Sequence, residues 1–174
     1  MSPYTYVREA CSGGKSLLAL CCGIGLELKH LPTQDVTAVD IYQPYLDEVK
    51  HRCDTARIVC SDALSYLKEQ PDKSVQVISI IDGIEHMDKK TGLKVIKEMK
   101  RVASEQILLF TPQGHIDNHP ENTWGVPGGD KYQEHLSGWE IEELELHRFK
   151  VLYTNGATSA HGDKYNEVMY QCLV

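Results

Sequence analysis

Several residues at the ends of apolar segments have the chemistry to hold a ligand. Cys22-Gly23-Ile24-Gly25 follows the first segment, and its glycines let a ligand approach the backbone closely because they carry no Cβ atom. Asp40 ends the second segment. Its carboxylate can accept hydrogen bonds from two neighbouring hydroxyl groups, as on a ribose ring, although an aspartate here can also cap a helix or close a turn.

Two further segments end in the same way. Ser61-Asp62-Ala63 follows the third apolar segment, and Asp62 can accept a hydrogen bond from an adenine amino group or, alternatively, cap a helix that begins at Ala63. Asp82-Gly83 follows the fourth segment, with His86 shortly after it. Each signal is weak alone, so the inference of one ligand site rests on their recurrence in four successive segments.

Seven apolar runs predict the β-strands that would position these residues. Most runs are continuous rather than alternating, which is typical of strands buried on both faces of a sheet. The predicted strands cover 16–22, 35–41, 56–60, 74–81, 105–110, 150–154 and 167–173. Thr111-Pro112 is expected to halt the fifth strand, and Asn155-Gly156 is expected to form a turn after the sixth.

Helical patterns separate these strands. Apolar residues recur at helical spacing over 43–53, and Asp88 is expected to cap a further helix. Ser137 and Glu140 have the spacing of a capping box for a helix that ends near His147. Strands that alternate with helices predict an α/β protein with an open, mostly parallel sheet, in which ligands bind beyond the carboxyl ends of the strands.

Composition limits the class of partner. The 174 residues carry 18 Lys and Arg against 25 Asp and Glu, and the resulting charge of −7 repels nucleic-acid phosphates. No apolar run reaches the ~20 residues of a membrane span, and the N-terminus lacks the segments of a secretory signal. The six cysteines lack C-x-x-C spacing and indicate reduced core residues. We therefore expect one cytoplasmic domain over 1–174, with no nucleic-acid or membrane partner.

The motifs at the strand ends resemble those of class I S-adenosylmethionine-dependent methyltransferases over roughly residues 15–114. The resemblance implies S-adenosyl-L-methionine as the cofactor. It also implies a Rossmann-like three-layer αβα sandwich whose seven-stranded, mostly parallel sheet has an antiparallel last strand. In this family the loop after the first strand cradles the methionine moiety, which implies Cys22, Gly23 and Gly25 here, and the next acid, Asp40, holds the ribose.

The resemblance assigns the other cofactor contacts in the same manner. The adenine contacts implied are Ile41, Ser61, Asp62 and Ala63. Asp82 and Gly83 would line the sulfonium side. Residues 15–110 would form the cofactor half, and the irregular stretch over 111–136 would form a loop that covers the methyl acceptor.

The first motif departs from the family pattern at two positions. Ala19 stands where the family usually has an acid, and Cys21 stands at the first glycine. Loss of the acid removes a negative group that helps to orient the ammonium of the cofactor. A degenerate cofactor-binding module without methyltransferase activity is therefore the alternative. A nicotinamide dinucleotide is disfavoured, because Leu28 stands where its fingerprint needs a third glycine.

Two histidines are candidates for the base that accepts a proton from the acceptor. His86 follows the fourth strand, and the ordinary pKa of histidine, ~6.5, suits this task. His135 is the second candidate, since its surroundings are similar to a segment that covers the cofactor in related enzymes. Both histidines can instead have structural roles, in packing or in capping a helix.

Asp82, Glu85 and His86 also resemble an acid-x-x-acid-His motif that is associated with a divalent metal in ubiquinone-pathway O-methyltransferases. The first position is an aspartate here, which is shorter than the usual glutamate, and no metal site is predicted.

These expectations combine into one function. The chain is predicted to transfer a methyl group from S-adenosylmethionine to a small molecule, with a hydroxyl of a glycan or metabolite as one acceptor class. The sequence leaves open which acceptor atom is methylated. It also leaves open the oligomeric state, a dimer included.

Overall fold

The fold is built around a seven-stranded sheet. A computed structural model describes residues 2–118, 124–159, 162 and 164–174 of the chain. The strands are β1 Leu17–Leu20, β2 Val36–Asp40, β3 Arg57–Cys60, β4 Val75–Ile81, β5 Ala103–Pro112, β6 Lys150–Thr158 and β7 Lys164–Leu173. Their order is β3-β2-β1-β4-β5-β7-β6, and β7 runs antiparallel to β5 and β6 while the other pairs are parallel. The predicted sheet is confirmed.

Helices cover both faces of this sheet. They are α1 Pro3–Ala10, α2 Gln43–Arg52, α3 Ala63–Glu69, α4 Lys89–Val102 and α5 Ile141–Leu146. One apolar cluster joins a face of the sheet to α3, α4 and α5, and a second cluster joins the opposite face to α1 and α2. The predicted three-layer sandwich is confirmed. Within the described residues, no helix has the length and apolar character needed to cross a membrane.

Strand β1 explains why the glycine turn lies at the edge of the sheet. Leu18 and Leu20 pack in one apolar cluster, whereas Leu17 and Ala19 pack in the other. Both faces of β1 are therefore buried, as its continuous apolar run predicts. The chain leaves the sheet immediately after Leu20, and the turn that follows lies at the carboxyl ends of the parallel strands.

Capping residues set the starts of the helices. Asp88 caps α4, with Oδ1 accepting a hydrogen bond from the Thr91 N–H at 3.0 Å. Helix α1 was not predicted from the apolar pattern. Its local signal is Ser2-Pro3, in which Ser2 accepts a hydrogen bond from the Tyr4 N–H at 3.3 Å and proline occupies the first helical position.

Two predicted strand ends are wrong, because pairing with β7 extends both of its neighbouring strands. Asn155 and Gly156 continue β6 instead of turning, since they pair with residues 167 and 166 of β7. Thr111 and Pro112 belong to β5 instead of halting it, and Thr111 pairs with Val168. Strand pairing supplies the hydrogen bonds that overrule the local turn preference.

The predicted capping box is also wrong. The Ser137 hydroxyl donates to the Ile84 carbonyl at 3.4 Å and accepts from Trp139 Nε1 at 3.1 Å, so it is used in a tertiary contact. Helix α5 begins at Ile141 without a side-chain cap. Trp139 is fully buried in the core. Among the cysteines, Cys60 is exposed rather than buried.

Candidate active site

A cavity of about 240 Å³ opens at the carboxyl edge of the sheet, beyond the ends of β1 to β4. Parallel strands present their carboxyl ends at the same edge, which is where the sequence places the site. The predicted residues that line the cavity are Asp40, Ile41, Ser61, Asp62, Ala63, Asp82, Gly83 and His86. Cys21, at the end of β1, lines it as well, so four separate strand ends contribute to one cavity.

Asp40 is held by the backbone at the end of β2. Its Oδ2 accepts a hydrogen bond from the Gly23 N–H at 2.8 Å, and its Oδ1 accepts one from the Tyr42 N–H at 2.9 Å. Burial raises the pKa of Asp40, and these backbone hydrogen bonds oppose the rise. Each carboxylate oxygen has two lone pairs, so Asp40 retains acceptor capacity for a pair of hydroxyl groups.

Asp62, at the end of β3, caps a helix and also faces the cavity. Its Oδ1 accepts a hydrogen bond from the Ser65 N–H at 2.8 Å, which caps α3. Burial would raise the pKa of Asp62, but the hydrogen bonds from Ser65 outweigh it, and the pKa is lowered. The side chain is therefore an ionised acceptor at neutral pH. Ile41, which is 51% exposed, gives this part of the cavity an apolar surface.

The end of β4 has an unusual backbone. Asp82 has a φ of 48° and Cys21 has a φ of 51°, a left-handed conformation that is uncommon for residues other than glycine. A Cβ atom on Gly83 would lie 2.7 Å from the Cβ of Cys21, which is closer than Cβ contacts normally come. Glycine is therefore required at position 83 while Cys21 occupies the neighbouring strand end.

His86 is arranged as a neutral base. Its Nδ1 lies 3.2 Å from the Glu134 carbonyl oxygen. Because a carbonyl oxygen only accepts, Nδ1 carries the proton in this hydrogen bond and Nε2 keeps its lone pair. Burial lowers the pKa of His86, so the imidazole is neutral at pH 7. This side chain can accept a proton at the cavity.

His135 lies behind His86. Its Nδ1 is 2.8 Å from the Ile116 carbonyl oxygen, and the two histidine rings are 5.2 Å apart. Burial and the neighbouring His86 lower the pKa of His135. His135 does not line the cavity. Its position favours a supporting contact with His86.

Glu85, His86 and His135 each offer a ligand atom within 4.8 Å of the others, a spacing that could hold a metal ion. Asp82 is not a member of this group, so the residues differ from those of the acid-x-x-acid-His motif. Glu85 also has a structural use. Its Oε2 accepts a hydrogen bond from the Thr111 hydroxyl at 3.0 Å, and its backbone carbonyl accepts from two residues of the covering loop.

The loop after β5 covers part of the cavity. Lys131, Tyr132, Gln133 and Leu136 line it from this side. The Tyr42 hydroxyl donates to the Pro127 carbonyl at 2.6 Å and holds the loop against α2. His119, another histidine of the stretch over 111–136, lies outside the described residues.

The glycine turn has two different surroundings. Gly23 has a φ of 51°, and the indole ring of Trp124 occupies the space that a Cβ atom would need. Gly25 packs against Val49 of α2 rather than lining a cavity, although its φ of 77° also favours glycine. Cys22 lines a second, smaller cavity beside the first.

Comparison with known proteins identifies the family. The model for the methyltransferase domain matches residues 17–106, just over half of the chain. The chain belongs to this family. The expected cofactor, S-adenosylmethionine, is thereby confirmed at the level of the family. No curated protein matches the sequence.

Solved structures share the fold of this methyltransferase-family chain. It is similar to a SAM-dependent methyltransferase from Archaeoglobus fulgidus (TM-score 0.65, 18% identity, 97% of this chain and 94% of the other). It is also similar to the YcgJ protein from Bacillus subtilis (TM-score 0.71, 11% identity, 98% and 97%). A third structure is 1,6-didemethyltoxoflavin-N1-methyltransferase from Burkholderia thailandensis with bound 1,6-didemethyltoxoflavin and S-adenosylhomocysteine (TM-score 0.66, 15% identity, 98% and 76%). At these identities the similarity establishes the fold.

Some residues of the methyltransferase cavity were missed in the sequence. Thr91 and Val95 line it along α4, and their spacing of four residues was an available signal for one helix face. Met87 lines it just before that helix begins. Lys131 also lines the cavity, but it lies in an irregular loop where no periodic pattern could point to it. Glu27 was missed because it reads as a charged residue of a surface turn, whereas it is buried.

Proposed function

We propose that this chain is an S-adenosylmethionine-dependent methyltransferase that acts on a hydroxyl group of a small molecule. The observation that carries the proposal is His86, an imidazole with a lowered pKa that lines the same cavity as Asp82 and Gly83. A base at this position is needed when the acceptor loses a proton as it is methylated.

The adenosine part of the cofactor is proposed to bind at the ends of β2 and β3. Asp40 would accept hydrogen bonds from the ribose hydroxyls with the lone pairs that Gly23 and Tyr42 leave unused. Asp62 would accept from the adenine amino group, and Ile41 would contact the ring. Cys22 and Gly23 would border the methionine moiety, since Cys22 lines the adjoining cavity.

Bound S-adenosylmethionine supplies a methyl group on a positively charged sulfur, which is already a good leaving group. The protein therefore has two tasks, which are to align the acceptor with that carbon and to remove the acceptor's proton. His86 Nε2 would accept the hydroxyl proton. The hydrogen bond from Nδ1 to Glu134 would stabilise the imidazolium that results, and His135 would support the position of the ring.

A small acceptor suits the dimensions and charge of the site. Tyr132 and Leu136 cover part of the cavity from the loop side, which restricts the approach of a macromolecule. The net charge of −7 disfavours a nucleic-acid acceptor. We also propose that residues 1–174 act as one methyltransferase domain in the cytoplasm. The single sheet and the six free cysteines support this.

Cofactor binding is tested by calorimetry with S-adenosylhomocysteine. Asp40→Asn keeps the size of the side chain but removes its charge, and affinity is expected to fall by about 10-fold or more, as for a lost hydrogen bond to a charged group. Asp35→Asn, at the opposite end of β2, is the matched control and is expected to bind as the wild type does. Equal affinities for the wild type and Asp40→Asn would contradict the proposed ribose contact.

Turnover is tested by following methyl transfer from labelled cofactor to pools of small hydroxyl compounds. His86→Gln is expected to lower kcat by roughly 100-fold or more, because general-base catalysis contributes on that order. His115→Gln is the control, since His115 is exposed, pairs with Asp117 at 3.1 Å and does not line the cavity. Comparable kcat values in the two variants would show that His86 is not the base.

The alternative is a cofactor-binding module without methyltransferase activity, and Ala19 and Cys21 in the first motif favour it. This alternative predicts that S-adenosylhomocysteine binds but that no compound in any pool is methylated. One methylated product that depends on His86 would exclude it.

A further inference from the structure

A second, smaller cavity adjoins the first at the glycine turn. Cys21 and Asp82 line both cavities, so the two spaces meet at the ends of β1 and β4. The smaller cavity has a volume of about 30 Å³, which is room for about two water molecules. The amino-acid part of S-adenosylmethionine, a short chain that carries an ammonium group and a carboxylate, is larger than this. It cannot enter while the cavity has this shape.

One wall of the smaller cavity comes from a loop. Cys22, Glu27 and Ile81 line it from the sheet and from the turn after β1, whereas Trp124 lines it from the loop after β5. The indole ring of Trp124 rests against the backbone of Gly23. Trp124 is half-buried and is not a member of either apolar cluster of the core. It is therefore the part of the wall that can move without unpacking the sheet.

The residues after Trp124 provide a hinge and an anchor. Gly125 has a φ of 69°, and no atom of the described residues lies within 4 Å of the position of its absent Cβ atom. Pro127 and Gly128 are held on α2, since the Tyr42 hydroxyl donates to the Pro127 carbonyl at 2.6 Å and a Cβ atom on Gly128 would lie 3.0 Å from the same hydroxyl oxygen. Rotation of the backbone at Gly125 therefore moves Trp124 while the rest of the loop stays in place.

An aromatic contact holds Trp124 against the turn. The centroids of the Trp124 and Tyr45 rings are 5.0 Å apart, and the rings meet edge to face at 66°. Tyr45 is only 1% exposed in α2, so it provides a fixed surface. One such contact corresponds to about a 3- to 10-fold change in an equilibrium constant. The position of Trp124 is thus favoured, but by an amount that a bound ligand can overcome.

We propose that Trp124 is a gate on the cofactor site, which closes the space at the glycine turn and swings out about Gly125 to admit the amino-acid part of S-adenosylmethionine. This inference rests on the proposed function, in which Cys22 and Gly23 border the methionine moiety. The affinity for the whole cofactor is then reduced by the fraction of molecules in which the gate is open. 5′-Methylthioadenosine has the same adenosine and sulfur but no amino-acid part, so it binds with the gate closed.

The test compares two ligands in two proteins. Calorimetry would measure the affinities of the wild type and of Trp124→Ala for S-adenosylhomocysteine and for 5′-methylthioadenosine. Trp124→Ala is expected to bind S-adenosylhomocysteine about 3- to 10-fold more tightly than the wild type does, because the closed position no longer competes with the ligand. Its affinity for 5′-methylthioadenosine is expected to be unchanged. A tryptophan that served as a ligand contact would give the opposite sign, since its removal would weaken binding.

Fluorescence follows the gate in the wild type. The chain has two tryptophans, and Trp139 is fully buried in the core, so a change of emission on ligand binding reports Trp124. S-adenosylhomocysteine is expected to shift the emission to longer wavelength and to increase its quenching by acrylamide, because the indole ring moves into water. 5′-Methylthioadenosine is expected to leave both unchanged.

Tyr6→Ala is the matched control. Tyr6 is also a half-buried aromatic residue, but it stacks on Tyr153 with ring centroids 5.4 Å apart and lines neither cavity. This variant is expected to bind both ligands as the wild type does. The fluorescence comparison needs no variant, so it tests the gate even if Trp124→Ala were to fold poorly.

The outcomes separate this inference from the proposed function. If Trp124→Ala binds S-adenosylhomocysteine no more tightly than the wild type, or gains equally for both ligands, the gate is refuted while cofactor binding stands. The gate is also refuted if S-adenosylhomocysteine leaves the emission unchanged or shifts it to shorter wavelength. If the wild type binds neither ligand, the proposed function fails and this inference fails with it.

Discussion

Replacing Glu27 by glutamine is expected to stabilise the ligand-free protein at pH 8. Glutamine has the same shape as glutamate but never ionises. The buried carboxyl group of Glu27 must give up its proton as the pH rises, in a place where Oε2 makes no hydrogen bond among the described residues. The variant avoids that cost.

The size of the effect follows from the two pKa values of Glu27. Burial raises the pKa from 4.5 to about 7 in the folded chain. The pKa of Glu27 is higher in the folded chain than in the unfolded chain. Its carboxyl group therefore contributes fully to the free energy of unfolding below pH 4.5, and this contribution is lost as the pH rises through about 7. A gap of that size corresponds to about 3 kcal/mol at 1.36 kcal/mol per pKa unit. For a chain of this length, this is a rise in Tm of roughly 6 to 12 °C.

The assay is urea unfolding of the wild type, Glu27→Gln and Glu9→Gln at pH 4.5, 6 and 8. Glu9→Gln is the control, because Glu9 is an exposed acid of α1. The free energy of unfolding of Glu27→Gln is expected to match the wild type near pH 4.5 and to exceed it increasingly toward pH 8. Titration of Glu85, whose pKa is also raised to about 7, is common to all three proteins and cancels in the differences. A difference that does not change with pH, or a Glu27→Gln protein less stable than the wild type at pH 8, would refute the reasoning.

Four further predictions concern the site and its support. Gly83→Ala is expected to cost about 1 to 3 kcal/mol of stability, because the new Cβ meets Cys21, and Cys21→Gly in the same chain should restore most of it in urea unfolding. The protonation of His86 is expected to lower kcat only below pH 6.5, since burial lowers the pKa of His86; a fall that begins above pH 7 and persists in Glu85→Gln, which removes the neighbouring carboxyl group with a pKa of about 7, would exclude His86 as the base. Trp139→Ala is expected to cost about 3 to 5 kcal/mol, as for other buried aromatic residues. Asp88→Ala is expected to lower the free energy of unfolding by about 1 kcal/mol, because the cap on α4 is lost. Thermal unfolding of the Trp139→Ala and Asp88→Ala variants would measure both decreases in stability.

The sequence alone determined the layers of the fold and the acidic residues at the strand ends that line the cavity. Continuous apolar runs predict strands such as β1 and β4 because a strand buried on both faces can contain few polar residues. The residue that ends each parallel strand necessarily lies at the carboxyl edge. For that reason Asp40, Asp62 and Asp82 could be assigned to one cavity without coordinates.

Tertiary structure decided what depends on contacts between distant segments. Asn155-Gly156 is a turn by local preference, yet pairing with β7 keeps it extended. The hydrogen bond to Glu134 that sets the tautomer of His86 comes from a loop 48 residues away in the chain. Glu27 is the clearest case, since nothing in its neighbours predicts that a glutamate in a short turn is buried. Burial is a property of everything packed around a residue, and it is burial that raises the pKa of this acid to about 7.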